Sequence, residues 1–339
     1  MIQILQKNYS KDTKVLNISH NKLDIIPKEI LELQNLSQLY VFSNLLKEIN
    51  INNLQKLEIL YLNNNLLQNN IIVNNLINLR ELVLSDNLLT IIPTEILMLS
   101  NLEKLDLARN KITLINSNIK NLKKLRILNL NNNNLRILPI EINELINLTE
   151  LNLYYNKLSN TPSLDNLKNL QKFTIFNNNL KKIPKKIHYI KQLKYLDLSF
   201  NIITQIDKVC NLCNLYTLNL SNNNLTTIPN EIANLQKLYS LYLHENLLTE
   251  LPDSIGNMKN LKRLYIYNNL LTTLPMTIIN LELIEFVIPE NIIENLDPGI
   301  LKWNNIELKE SSNELLTGSE SSKELSTGSE SSKGLINEL

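Results

Sequence analysis

The side chains that most often carry chemistry are scarce here. Among 339 residues there are three histidines, two cysteines and five glycines. His244 and Glu245 are adjacent, but neighbours on an extended strand point to different sides, and no nucleophile is placed nearby. His20 follows Ser19 and has no acid partner. Cys210 and Cys213 form a lone C-x-x-C. A redox role would need a βαβ setting, and a zinc site would need two further ligands. Neither is present, so both are read as reduced thiols. Only Gly256 and Gly299 precede residue 311. A phosphate-cradling loop needs several glycines close together. NTPases of the Walker type, protein kinases and dinucleotide-binding folds are therefore excluded. The reading is a non-enzyme with no cofactor and no metal.

Recognition chemistry has better material. There are 12 tyrosines and five phenylalanines, and their value depends on where the chain puts them. The elements that position them follow a period. The segment Leu57-x-x-Leu60-x-Leu62-x-x-Asn65-x-Leu67 recurs, anchored on Asn21, Asn44, Asn65, Asn87, Asn110, Asn133, Asn156, Asn178, Asn201, Asn223, Asn246, Asn269 and Asn291. These 13 anchors are spaced 21 to 23 residues apart, with none skipped. Asn, Ile, Lys and Tyr all have AT-rich codons, so their abundance carries no weight; only position does.

The period has a physical meaning. Leu-x-Leu alternates with period 2, so both leucines of a short strand face one side. One repeat cannot bury that face alone, so neighbours stack into a continuous core. Successive strands pair in parallel, ~4.8 Å apart, and 13 of them span ~58 Å. The anchor Asn ends each strand, points inward and serves backbone groups that strand pairing leaves open. Eight of the ten prolines lie six residues after an anchor: Pro27, Pro93, Pro139, Pro162, Pro184, Pro229, Pro252 and Pro275. An Ile tends to follow three residues later, as in Pro229-Asn-Glu-Ile232. Proline fixes φ where the chain turns outward and needs no donor there. The outer segments are too short for long helices; 3₁₀ turns and extended chain are expected. The second and third repeats have Asn50 and Ile71 in the proline place, and irregularity is expected there. The fifth (Asn116) and ninth (Asp207) also lack it.

This pattern resembles the leucine-rich-repeat family over roughly residues 13–300. The proline-bearing variant looks like the ~23-residue class of intracellular scaffolds of the Ras-suppressor and Scribble types. The resemblance implies an α/β solenoid, with a parallel sheet on the concave face and short 3₁₀ or irregular segments on the convex face. It also implies protein recognition in signalling or scaffolding, including contact with small GTPases.

Three parts are expected. Residues 1–12 form an N-terminal cap, with Ile2, Ile4 and Leu5 as its cover. Residues 13–303 form the solenoid, closed by Pro298 to Trp303. Trp303 is either cap core or a partner anchor. Residues 304–339 are a linker and a Ser/Glu-rich tail of decapeptide units, expected to be disordered. From Ser311 the tail holds five Glu and two Lys, a net −3. It is either a phosphate acceptor or an inert solubilising segment. The start has no signal-peptide pattern and no apolar run long enough to span a membrane. Cysteine-rich caps are absent, and a cytoplasmic protein is expected. With 43% hydrophobic residues and a net charge of +1, the chain has no global field to draw it to nucleic acid or membrane.

Counting from the first leucine, with the anchor Asn ninth, the exposed inner-face positions are the second, third, fifth, seventh and eighth. Ten of the 12 tyrosines fall there. The expected partner surface comprises Tyr154, Tyr155, Phe176, Tyr195, Phe200, Tyr216, Tyr239, Tyr242, His244, Tyr265 and Tyr267. It runs nearly unbroken from the seventh to the twelfth repeat. A smaller group, Tyr40, Phe42 and Tyr61, lies in the second and third. Tyrosine gives rigid contact area at low entropy cost, though it also has high strand propensity. The fourth to sixth repeats carry mixed charge instead, from Arg80 to Arg126. That mixture either steers a polar partner or keeps the face in solution.

A second feature is basic. From Asn166 to Leu196 there is no acid, while Lys168, Lys172, Lys181, Lys182, Lys185, Lys186, Lys191 and Lys194 occur. This patch is either a docking site for an acidic partner or membrane surface, or a solvated outer face. The sequence thus supports a scaffold or adaptor that holds a protein on its concave sheet, with the lysine patch as the alternative. No nucleic acid and no membrane insertion are expected.

Overall fold

The computed structural model describes residues 1–206, 208–289, 292 and 295–301. Thirteen three-residue strands pair in parallel, each with its neighbours in sequence order of repeats. They are Val15–Asn17, Gln38–Tyr40, Ile59–Tyr61, Glu81–Val83, Lys104–Asp106, Ile127–Asn129, Glu150–Asn152, Lys172–Thr174, Tyr195–Asp197, Thr217–Asn219, Ser240–Tyr242, Arg263–Tyr265 and Glu285–Val287. The register matches like with like: Leu105 pairs Leu128, which pairs Leu151, which pairs Phe173. Leucines at the first, fourth, sixth and eleventh positions fill one continuous buried core.

The anchor asparagines form the expected ladder. Nδ2 of Asn133 donates to Leu130 O (3.1 Å) in its own repeat and to Leu107 O (3.0 Å) in the one before. Its Oδ1 accepts Ile112 N–H (2.9 Å). The same set of bonds recurs at every anchor from Asn44 to Asn269, for instance at Asn65 and Asn246. Asn21 has no preceding repeat to serve; it is exposed, its side chain donates to Ser19 O at 2.8 Å, and its backbone N–H donates to Asn44 Oδ1 at 3.0 Å.

A second asparagine ladder, which the sequence reading missed, runs along the opposite edge of the sheet. The residue before the first leucine is Asn in seven repeats: Asn35, Asn78, Asn101, Asn147, Asn169, Asn214 and Asn260. Each Nδ2 donates to a backbone carbonyl one repeat back, as Asn78 does to Gln55 O (2.9 Å) and Asn214 to Lys191 O (2.8 Å). Both sheet margins therefore close their open carbonyls with side-chain amides.

The convex side is built of short 3₁₀ turns of three to five residues, as expected. The proline carbonyl accepts from the isoleucine three residues on: Ile232 N to Pro229 O is 3.0 Å and Ile255 N to Pro252 O is 3.0 Å. Those isoleucines are buried, which explains the Pro-x-x-Ile spacing. In the fifth repeat Asn116 replaces the proline and caps the turn with its side chain, accepting from Asn118 N at 2.8 Å. The second and third repeats differ, as expected. With Asn50 and Ile71 in the proline place, Ile49–Asn50 and Ile71–Ile72 pair as a second, two-stranded parallel sheet. The pairing is made by Ile49 N to Asn70 O (3.4 Å) and Ile51 N to Ile72 O (3.3 Å), on either side of Asn50.

An antiparallel hairpin, Ile2–Ile4 against Lys7–Tyr9, precedes the first strand of the parallel sheet. Ile2 and Ile4 are buried, as expected. Leu5 is not part of the cover: it sits at the turn with φ of 49° and is 39% exposed. A two-residue turn with both φ angles positive (Gln6 is at 65°) throws the side chain outward. At the other end Phe286, Ile288, Leu296 and Ile300 are buried, and a short helix, Pro298–Leu301, packs on the twelfth repeat's 3₁₀ turn. Trp303, the tail, Asp207 and Asn291 lie outside the described residues. Among the described residues no helix is long and apolar enough to cross a membrane.

Candidate partner-binding surface on the concave sheet

The inner-face positions are not equivalent. The fifth position was expected to be exposed, but Thr174, Asp197 and Asn219 there are buried. Thr174 Oγ1 donates to Asn152 Oδ1 (2.7 Å) across the strands, and in several repeats an Asp or Asn at the fifth position turns back and accepts the N–H of the seventh, as an Asx turn does. Asp197 Oδ1 accepts Ser199 N (3.0 Å) and Ser199 Oγ (2.6 Å); Asn219 Oδ1 does the same for Ser221 (3.1 and 2.8 Å). Asn17 with Ser19 and Asn129 with Asn131 repeat the arrangement. The signal was present in the sequence as Asx-x-Ser or Asx-x-Asn across the strand end. Burial raises the Asp197 carboxyl above its ordinary range, while hydrogen bonds from Ser199 and Asn219 pull the other way.

The eighth position has its own geometry. From His20 to Asn268, the residue before each anchor has φ between 50° and 59°. Asn, Asp or Ser is common there, as the left-handed region favours. Tyr155 and Phe200 are the bulky exceptions, and they project outward at 43% and 41% exposure.

The structure gathers the predicted aromatics into three groups rather than one stripe. In the first, Tyr154 stacks on Phe176 (4.5 Å, 6°), with Tyr155 edge-on to both. In the second, Tyr216 stacks on Tyr239 (5.0 Å), and the Arg263 guanidinium lies 6.0 Å from the Tyr239 ring. In the third, Tyr242 stacks on Tyr265 (4.7 Å) and His244 on Tyr267 (4.5 Å). The breaks fall where Ser199, Ser221, Asp197 and Asn219 occupy the ninth and tenth repeats. Tyr195 sits between, its hydroxyl donating to Asp197 Oδ2 at 3.4 Å. Phe200 projects beside it. Tyr216 is the most exposed of these rings, at 52%; Tyr154, Phe176, Tyr195, Tyr239, Tyr242, His244, Tyr265 and Tyr267 are half-buried. The smaller group pairs Tyr40 edge-on with Tyr61, at 5.2 Å.

Several hydroxyls are tied down. Tyr61 donates to Glu81 (3.0 Å) and Tyr265 donates to Glu285. Burial, followed by these carboxylates, holds both phenols well above their ordinary range. Burial also pushes Tyr267 up to about 12, with Glu245 adding to the effect. These rings present fixed hydroxyls and ring edges, with little rotamer entropy left to lose. Burial lowers His244 to about 4, so its ring is neutral near pH 7. Its Nδ1 is buried with no hydrogen-bond partner.

The mixed charge of the fourth to sixth repeats is largely paired within the sheet. Arg80 lies 3.9 Å from both Glu58 and Glu103, Lys104 is 3.6 Å from Glu81, and Arg109 Nη2 donates to Asp86 at 2.7 Å. Signs alternate between adjacent strands at the second (Glu58, Arg80, Glu103, Arg126), third (Glu81, Lys104) and eighth (Asp86, Arg109) positions, so neighbouring repeats offer each other opposite charges there. Arg80, Glu58 and Glu103, with Asn78, Asn101 and Lys124, also line a shallow hollow of about 320 Å³ at the sheet margin.

Most of the lysine patch lies off the concave face, while Lys194 stands at the second, inner-face position of the ninth repeat. Lys181, Lys182, Lys185, Lys186, Lys191 and Lys194 are all exposed. Two are engaged: Lys186 pairs with Asp165 (3.0 Å), and Lys191 donates to Asn211 O (2.9 Å). Hydrogen bonds from Ser163, then Lys186, hold the Asp165 carboxyl well below the usual carboxylate range. Cys210 is buried and Cys213 exposed, and neither is in a disulfide.

Residues 173–297 match the family model described as "Leucine-rich repeat region", and residues 77–135 match that described as "Leucine rich repeat". A solved leucine-rich-repeat protein of Leptospira interrogans is 37% identical, with a TM-score of 0.75, over 88% of this chain and 84% of that one. An internalin of Listeria monocytogenes is 26% identical, with a TM-score of 0.68, over 77% of this chain and 76% of that one. A flightless-1 homolog of Caenorhabditis elegans is 36% identical over 107 residues, which are 30% of this chain and 8% of that protein. With its period, its asparagine ladder and its 13-stranded parallel sheet, the chain belongs to the leucine-rich-repeat family.

Proposed function

We propose that the protein is a non-catalytic scaffold that holds a protein partner across its concave sheet, led by the aromatic groups of the seventh to twelfth repeats. The observation that carries this is the set of stacked rings at 4.5 to 5.0 Å. Stacking and hydroxyl tethers pre-organise them, and rigid aromatics of this kind dominate binding hot spots. The neighbouring charges are largely paired with one another, so the partner is selected by ring contact more than by field. A cytoplasmic signalling setting, with a small GTPase as the partner class implied by family resemblance, belongs to the same reading.

The alternative reading places docking of an acidic surface on the lysine patch, where Lys181, Lys182 and Lys185 are exposed. Affinity capture from the native host separates the two. Wild type is compared with a Tyr242, Tyr265, Tyr267→Ser variant and with Tyr155→Asn/Phe200→Asn, the latter chosen because Asn suits the left-handed backbone. A partner kept at 0.5 M salt and lost from both variants supports the concave face. One indifferent to both and lost with salt moves the function to the lysines.

A further inference from the structure

We propose that the lysine-rich convex side of the eighth and ninth repeats is a docking surface for the chain's own acidic segment, residues 310–330. The inference goes beyond the concave-face reading and gives the lysine patch an occupant.

A gap in the charge pattern makes the surface. From Asn166 to Ile206 there are eight lysines and a single acid, Asp197. That carboxyl is buried on the concave strand and engaged by Ser199 and Asn219. Lys181 and Lys182 stand just before Pro184. Lys185 and Lys186 lead into the 3₁₀ turn Ile187–Tyr189, and Lys208 leads into the next, Val209–Asn211. All of these lysines are exposed, and among the described residues only Lys186 pairs with an acid, Asp165. The uncompensated field reaches into the fold: burial, followed by Lys208 and Lys191, lowers the His188 imidazole below its ordinary range.

The segment after the solenoid has the opposite pattern. Residues 310–330 hold Glu310, Glu314, Glu320, Glu324 and Glu330 against one lysine, Lys323. Serines, threonines, glycines and three leucines fill most of the space between them. Such a stretch offers charge and backbone but little apolar surface, so it complements a polar lysine face and not an aromatic sheet.

The two are within reach. The helix Pro298–Leu301 packs on the twelfth repeat's turn, Met276–Asn280, so the chain leaves the solenoid on its convex side. The convex spans of the tenth to twelfth repeats, residues 224–236, 247–258 and 270–281, contain no lysine or arginine but do contain Glu231, Glu250 and Asp253. The turns of the eighth and ninth repeats are therefore the nearest convex turns that bear lysines. The eighth lies four repeats back, ~19 Å by strand spacing and more around the outer curve. Glu310 follows Leu301 by nine residues, an extended reach of ~30 Å, and each later glutamate reaches further. A tether of this order sets an effective concentration in the ~mM range, enough to populate a contact that is weak between separate molecules.

The test uses the full chain, a Glu310, Glu314, Glu320, Glu324, Glu330→Gln variant, and a Lys181, Lys182, Lys185→Gln variant at exposed sites, with folding checked by circular dichroism. Monomer at low salt is treated with a zero-length carbodiimide, which joins lysine amines to carboxylates, and the joined peptides are identified by mass spectrometry. Links from residues 310–330 are expected on Lys181, Lys182, Lys185, Lys186 or Lys208, and should vanish in 0.5 M salt. A labelled decaglutamate peptide then reports access to the patch by fluorescence anisotropy. It should bind the Glu→Gln variant about threefold tighter than wild type, the gain expected if the tethered segment fills the patch about two-thirds of the time. It should bind the lysine variant least. No links, or links spread evenly over lysines of the whole chain, overturn the inference. Equal probe affinity for wild type and the Glu→Gln variant, lost in the lysine variant, overturns the occupant and leaves the lysine patch standing as a docking site. A probe indifferent to the lysine variant overturns both, and the concave-face reading is then judged by its own variants.

Discussion

Replacing Asn133 by Ala tests the ladder where its arithmetic is clearest. The side chain shares its two amide hydrogens among Leu107 O (3.0 Å), Leu130 O (3.1 Å) and Asn131 O (3.1 Å), and its Oδ1 accepts Ile112 N–H (2.9 Å). The three carbonyls are not orphaned by the change, since Asn131 O still receives Arg109 N–H at 2.9 Å. Leu107 O still receives Asn110 at 3.1 Å, and Leu130 O still receives Asn156 at 2.9 Å. Only the Ile112 amide is left buried without an acceptor. Three lost bonds, at about 1 kcal/mol net each, plus an orphaned amide give a cost of about 4 kcal/mol. Asn21→Ala should cost less than about 0.5 kcal/mol, because that side chain is exposed and serves no earlier repeat. Urea unfolding followed by circular dichroism measures both, with an unchanged m value showing that the array still unfolds as one unit. A loss below about 1 kcal/mol for Asn133→Ala, or equal losses at the two sites, would refute the ladder argument.

Three further expectations concern strain and protonation. Phe200→Asn should raise stability by about 0.5–1 kcal/mol, since Asn tolerates the left-handed backbone better than Phe; a lower midpoint in thermal unfolding would count against it. Leu5→Asn with Gln6→Gly suits a hairpin turn with φ of 49° and 65°. It should stabilise by about 1 kcal/mol, and hydrogen exchange at the N-terminal hairpin would show whether the gain is local. His244 takes up its proton near pH 4 when folded, against roughly 6.5 when unfolded. The unfolded chain therefore binds more protons between those values, and stability falls as pH drops through that window. His244→Phe should lose less stability than wild type between pH 7 and pH 5; parallel losses would sink this assignment.

The repeat was legible because each leucine and anchor Asn answers to a single need, burial or backbone satisfaction, in every copy. The convex prolines and their isoleucines were legible for the same reason. The second asparagine ladder was not read. Its asparagines were set aside with the general excess of that residue, although they stand one place before the first leucine in seven repeats. Alternation along a strand predicts that every fifth position is exposed and the aromatic surface nearly unbroken. Where that position is Asp197 or Asn219, the side chain folds onto the strand end, and the face becomes polar and buried. Leu5 was read as cover because it is apolar, while its backbone conformation, set by the hairpin, turns it outward.

Each ladder bond stays within its repeat or reaches back one, never two, so the anchors tie every junction from Asn44 to Asn269 in the same way. Duplicating or deleting a whole repeat recreates junctions of the same kind on either side. Such an event would leave the ends untouched and shift the aromatic groups relative to one another by one strand spacing, ~4.8 Å. The distance between contact points on this protein is thus a heritable length, adjustable in fixed increments by recombination without redesigning any interface inside the fold.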